Sequence, residues 1–171
     1  IPAKAAAMNL LSISAAYGLP PGTGWTHLLQ QRLAERGHPH RVVNASISGD
    51  TTAGGRSRLP ALLERHRPAI VVIELGGNDG LRGGSLAATR ENLGVMTAAT
   101  KSAGAKPLLV GMKLPPNYGP AYTREFDAIF AEVAKAMANG RRAELIDVLA
   151  QGERHVEELA DEIGQSVANT S

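Results

Sequence analysis

Apolar, strand-like runs alternate with helix-like patterns along the whole chain, and this alternation predicts an α/β protein. The connections are short, which implies a parallel sheet with right-handed crossovers and helices on both faces. Five strand candidates are present, at residues 8–12, 41–45, 69–75, 107–112 and 144–148. Five strands favour a three-layer, flavodoxin-like arrangement with sheet order 2-1-3-4-5. Its ligand crevice lies at the carboxyl ends of strands one and three.

The helix candidates fall between the strands, at residues 24–36, 51–67, 86–103, 123–138 and 151–162. In the first, Trp25, Leu28, Leu29 and Leu33 form an apolar stripe that would lie against the sheet. Phe126, Ile129, Phe130 and Val133 repeat that spacing, a core pattern rather than a cofactor site. Residues 113–120 carry three prolines and the run Asn117-Tyr118-Gly119, and read as a stiffened surface loop on the crevice rim. Residues 79–84 place three glycines around Leu81 and Arg82, a pattern expected of a mobile lip over the crevice.

At 171 residues the chain fits one domain, 1–171, with a substantial core. A formal net charge of +2 and 4% aromatic residues offer neither the basic face nor the stacking surface of a nucleic-acid binder. Cysteine is absent, so disulfides, thiolate metal sites and a Cys nucleophile are excluded. No apolar run approaches the ~18 residues of a membrane span. Lys4-Ala5-Ala6-Ala7 has the character of the small-residue end of a cleaved secretory signal, so residues 1–7 are expected to be processed or disordered. That favours a periplasmic or secreted protein, although a cysteine-free chain suits the cytoplasm equally. A monomer is the expectation.

The chemistry gathers at three predicted strand ends. Gly76-Gly77-Asn78-Asp79 follows the third strand directly; its two glycines allow a sharp turn that leaves the Asn78 amide in the crevice. An uncharged N–H donor there suits an oxygen that becomes negative during acyl transfer. Ser48-Gly49-Asp50 follows the second strand and Ser12 ends the first. Each has a simpler reading. Ser12 fits a helix cap and Gly49 a turn, with Asp50 or Thr51 capping the next helix; Asn78 fits a buried structural amide. A hydroxyl, a backbone amide and a side-chain amide converging at one rim nevertheless read as a hydrolase site.

Long ordered segments carry a resemblance: Ser12-Ile13-Ser14-Ala15-Ala16-Tyr17-Gly18, Val43-Asn44-Ala45-Ser46-Ile47-Ser48-Gly49-Asp50-Thr51, Glu74-Leu75-Gly76-Gly77-Asn78-Asp79-Gly80-Leu81-Arg82-Gly83 and Leu114-Pro115-Pro116-Asn117-Tyr118-Gly119. In them the chain resembles the SGNH (GDSL) hydrolase family, in its bacterial thioesterase/lysophospholipase/arylesterase branch. The resemblance implies a flavodoxin-like fold, no cofactor and no metal, and a small-molecule acyl ester or thioester as substrate. It also implies a Ser nucleophile at Ser12 and an oxyanion hole from the Ser12 amide, the Gly49 amide and the Asn78 side chain. Leu81, Pro116 and Tyr118 would shape an apolar groove for the acyl chain.

The chain departs from the family twice. Leu10 and Leu11 stand where the opening motif has Gly and Asp, which removes a polar partner beside Ser12 and should dry the turn. At the other end Asp161 falls on the Asp of the family's Asp-x-x-His-Pro block, but Gly164 and Gln165 replace its His and Pro. A serine hydroxyl needs a base, and His is the natural one near neutral pH. His155 is the only imidazole in the last third of the chain and is the substitute candidate, with Asp161 as its orienter; a solvated helix residue is the simpler reading. His27, His38, His40 and His66 are expected at the surface or at caps. An acyl- or glycan-binding module without turnover is the competing function that Gly164 favours.

Overall fold

The computed structural model describes residues 7–11, 24–38, 40–138 and 144–146, and of 7–11, 138 and 144–146 only the backbone. Strands β1 (Ala7–Leu11), β2 (Val42–Asn44), β3 (Ile70–Glu74), β4 (Lys106–Val110) and β5 (Glu144–Ile146) form one sheet in the order β2-β1-β3-β4-β5. All four pairings are parallel. Ala7, expected within a disordered or processed leader, opens β1 and pairs with both Val42 and Ile70. Leu10 and Leu11 are strand residues, in register with Ile73 and Glu74.

Residues of β3 and β4 alternate between two cores, as a period-2 strand requires. Ile70, Val72, Leu108 and Val110 pack with Leu29 and Leu33 of helix α1 (Trp25–Glu35), and Trp25 and Leu28 lean on the same cluster. Val71, Ile73 and Leu109 face the other way. There they meet α2 (Thr52–His66), α4 (Leu86–Ser102) and α5 (Pro120–Ala138) through Leu59, Leu93, Met96, Phe126 and Phe130. The stripe expected of α5 is buried along its length, and the Phe126 and Phe130 rings meet edge to face at 5.4 Å. Burying each such ring contributes roughly 1.5–3 kcal/mol.

Two elements differ from the sequence expectation. Residues 79–84 are not a free glycine lip: Gly77–Leu81 form a short helix, α3, closed by backbone bonds from Arg82 and Gly83. The Tyr122 hydroxyl lies 3.2 Å from both the Gly80 and the Gly84 carbonyl oxygens, and Tyr118 donates to the Leu81 carbonyl at 3.0 Å. The rim loop contains a single 3-10 turn, Pro116–Tyr118, and α5 starts at Pro120 rather than at residue 123. Proline suits a first helical position, where an N–H would lack a partner anyway. The helix expected at 151–162 lies outside the described residues.

Candidate active site

The carboxyl end of β1 lies between those of β2 and β3, so the loops leaving β2 and β3 flank it. The β2 loop turns at Ile47–Asp50, where the Asp50 N–H bonds the Ile47 carbonyl at 3.2 Å. Gly49 is the third residue of that turn, with φ +76°, while Ser48 does not share its positive φ. This is the type II pattern, and it requires glycine at the third place. The turn's own bond leaves the Gly49 N–H unused. Among the described residues nothing accepts from it.

On the β3 side, Gly76 at φ +120° turns the chain into α3. A Cβ at Gly76 would meet the Phe130 ring at 3.3 Å, so the turn also needs the missing side chain. The half-buried Asn78 follows, and its Nδ2 donates to the Asp50 carbonyl at 2.9 Å. A primary amide holds two N–H bonds in one plane, so fixing one sets the direction of the other. Asn78 and the Gly49 turn are therefore tied together through the Asp50 carbonyl.

Residues outside that reading hold the unit in place. The Asp50 carboxylate takes Nε (3.1 Å) and Nη2 (2.5 Å) of Arg58 on Oδ2 and the Thr51 N–H on Oδ1. Arg58 also donates to the Ala45 carbonyl at 3.0 Å, closing the loop at both ends. Asp79 reaches across to α2: Oδ2 accepts the Thr52 N–H at 2.9 Å, and Oδ1 the Thr52 hydroxyl at 2.6 Å. Asn92 of α4 donates to that same hydroxyl oxygen. Thr51 caps α2, as expected, through the Gly54 N–H, whereas Asp50 serves Arg58 and Thr51. An i,i+8 Asp–Arg pair and a carboxylate capping a helix 27 residues away leave no local sequence signal. The adjacency of Asn78-Asp79 was the only clue.

Leu81 and Tyr118, expected in a substrate groove, are 40% and 36% exposed, and Pro116 is exposed in the 3-10 turn. The Tyr118–Leu81 bond joins two of the three; Ile47, 49% exposed, adds a fourth apolar group from the Gly49 turn. Ser12, His155 and Asp161 lie outside the described residues, as do Gly164 and Gln165. His38 and His40 enter β2 and His66 ends α2 before β3, which puts all three at the amino-terminal rim of the sheet, opposite the Gly49 and Asn78 loops. His38 and His40 are half-buried rather than at the surface, with ring centroids 6.0 Å apart. Burial, and then the neighbouring His38, hold His40 below the usual imidazole range. His27 is exposed on the first turn of α1.

Glu74 ends β3 on the α1 face, level with Leu11. Burial pushes its carboxyl up to about 8, and no described residue hydrogen-bonds to it. Among the described residues no group of acidic, His or Cys side chains has metal-binding geometry, and no helix is long and apolar enough to cross a membrane.

Comparison with known proteins fits this arrangement. The Pseudomonas aeruginosa protein named Esterase TesA is 57% identical over 135 residues, covering 77% of this chain and 67% of its own length. The Escherichia coli protein named Thioesterase 1/protease 1/lysophospholipase L1 is 45% identical over 124 residues, 72% of this chain and 58% of its own. The chain thus spans about three-fifths to two-thirds of these curated relatives. A crystal structure of TesA superposes with a TM-score of 0.80 at 41% identity, covering 95% of this chain and 97% of that one. A structure of the psychrotrophic esterase EstA from Pseudoalteromonas sp. gives 0.78 at 33% identity, covering 95% and 97%. The sequence profile of the GDSL-like lipase/acylhydrolase family matches residues 12–164, and the chain belongs to that family.

Proposed function

We propose that the chain is a serine acyl hydrolase acting on carboxylic esters and thioesters, within one flavodoxin-like domain spanning 1–171. Ser12 attacks the acyl carbonyl and passes its proton through a base to the departing alcohol or thiol. Water then releases the acid from the acyl-serine. The Gly49 amide and the Asn78 side chain stabilise the oxyanion, with the Ser12 amide as third donor. Asp161 is assigned the orienting role and His155 the base, because Gly164 occupies the family's His position. The apolar group of Leu81, Pro116 and Tyr118 receives the acyl chain.

The observation that carries this reading is the bond from Asn78 Nδ2 to the Asp50 carbonyl. It ties the loop that carries Asn78 to the loop that carries Gly49. These loops leave the two strands that flank the one Ser12 follows in sequence, which supports a shared role for the two donors. The names of the relatives, esterase and thioesterase, favour the same chemistry. The test is incubation with 4-nitrophenyl butyrate and, separately, with a serine-directed phosphonate. A burst of nitrophenolate and an adduct on Ser12, both abolished in Ser12→Ala, are the expected result. Neither burst nor adduct, with a fatty acid still bound, would select the acyl-binding module that Gly164 favours.

A further inference from the structure

We propose that Arg82 reads negative charge on the substrate, so that the site selects esters and thioesters carrying an anionic group within a few bonds of the reacting carbonyl. This rests on the acyl-transfer reading above and adds a substrate class to it. Arg82 caps α3 at its carboxyl end, and its Nη2 lies 3.3 Å from the Gly49 carbonyl oxygen. A Cβ built on Gly49 would lie 3.8 Å from the same nitrogen. The guanidinium therefore stands beside the residue whose N–H is offered to the oxyanion, not elsewhere on the rim.

Among the described residues no carboxylate neutralises its charge there. The two carboxylates described in the flanking loops have other partners: Asp50 is engaged by Arg58 and Asp79 by Thr52. Among the described residues Arg82 has no carboxylate partner. A guanidinium carries five N–H donors, and the Gly49 carbonyl uses one. Arg82 is exposed, and the segments it joins carry exposed apolar side chains: Leu81 precedes it, Tyr118 bonds the Leu81 carbonyl, and Ile47 opens the Gly49 turn that Arg82 bonds. One cation set in an apolar lip matches a ligand with an apolar chain and a nearby anion; a planar fork of donors suits phosphate, sulfonate or carboxylate.

Arg82→Gln and Arg82→Lys test the assignment against three butyrate- or succinate-based esters. One is neutral 4-nitrophenyl butyrate, one carries a sulfonate on its phenol half, and one is a 4-nitrophenyl hemisuccinate, charged on its acyl half. The Gln variant should lower kcat/KM for at least one charged ester by about five- to tenfold and leave the neutral ester within twofold. The Lys variant should recover most of that loss. Added salt should weaken turnover of the charged ester by the wild type, and much less by the Gln variant. The two charged esters tell which half of the substrate bears the anion.

An equal fall for all three esters would mean that Arg82 merely props the Gly49 turn, and no fall would remove it from recognition; either overturns the proposal. Binding of dodecyl phosphate and of neutral dodecanol, followed by calorimetry, separates this inference from the catalytic one. Weaker dodecyl phosphate binding by the Gln variant, in a protein that hydrolyses none of the esters, would retain Arg82 and discard acyl transfer. Full hydrolysis with equal dodecyl phosphate binding by wild type and variant would do the reverse.

Discussion

Asn78 joins the two loops of the site with one side chain, and its removal has two separable effects. Under the proposed oxyanion role, Asn78→Ala should lower kcat about 10²–10³-fold while KM stays within a few-fold, since such a donor would act on charge that develops after binding. It also frees the Asp50 carbonyl, which the amide now satisfies at 2.9 Å. Thermal melting run beside steady-state hydrolysis apportions the two: a loss of activity that merely tracks a lower Tm would deny Asn78 its role at the oxyanion. The sequence marked Asn78 and Gly49 as candidates because each lies in the loop region that follows a strand, β3 and β2 respectively. Arg58 was not marked, since nothing local ties an arginine on a helix face to a particular carboxylate.

At the scale of elements, the loop after β2 depends on α2. Arg58 draws Asp50 and the Ala45 carbonyl onto one guanidinium, and the two side chains are only 24% and 11% exposed. Arg58→Ala should cost about 1–3 kcal/mol in chemical denaturation, because it leaves Asp50 largely buried without its cation. Turnover should fall as well, with no contact to substrate lost. The other end of α2 has room for improvement. Arg67 closes the helix at φ 41°, ψ 56°, a left-handed conformation that costs a residue with a Cβ roughly 1–2 kcal/mol. Arg67→Gly should raise stability by up to about 1 kcal/mol, and an unchanged or lower denaturation midpoint would contradict that account. Helix α3 escaped the sequence because Gly77, Asn78, Asp79 and Gly80 are poor helix formers. Its stability is tertiary: a Cβ on Gly80 would lie 2.8 Å from both Leu114 and Phe126, so the helix rests directly on the core.

For the whole molecule, the buried carboxyl of Glu74 links folding to pH. Its folded value of about 8 stands above its ordinary 4.5. Below pH 4.5 both folded and unfolded chains hold the proton, and the group's contribution is fully present. As pH rises from about 4.5 to about 8 the unfolded chain releases the proton first, so stability declines across that window and levels off above it. Glu74→Gln should flatten the decline and stabilise the protein at pH 8 by a few kcal/mol, of order ~3. Urea midpoints between pH 4 and 9 provide the measurement; parallel curves for the two proteins would refute the link. The sequence carried the architecture well because a parallel sheet buried on both faces writes itself as apolar runs. The alternation of Ile70 and Val72 with Val71 and Ile73 between two cores was invisible, since all four are apolar. Element ends were the weakest point, as at Pro120, where a residue read as loop begins a helix.

The Tyr122 hydroxyl faces two carbonyls at the same distance and has a single proton to give. Burial, followed by the Asp79 carboxylate, holds it above the usual phenol range, so that proton stays in place at neutral pH. At any moment that proton ties either the Gly80 or the Gly84 carbonyl to α5, and the Gly80 carbonyl keeps the Gly83 N–H in either case. The stretch between them, which bears Arg82, thus has two moorings of similar strength and one rope, and switching moorings breaks nothing in the core.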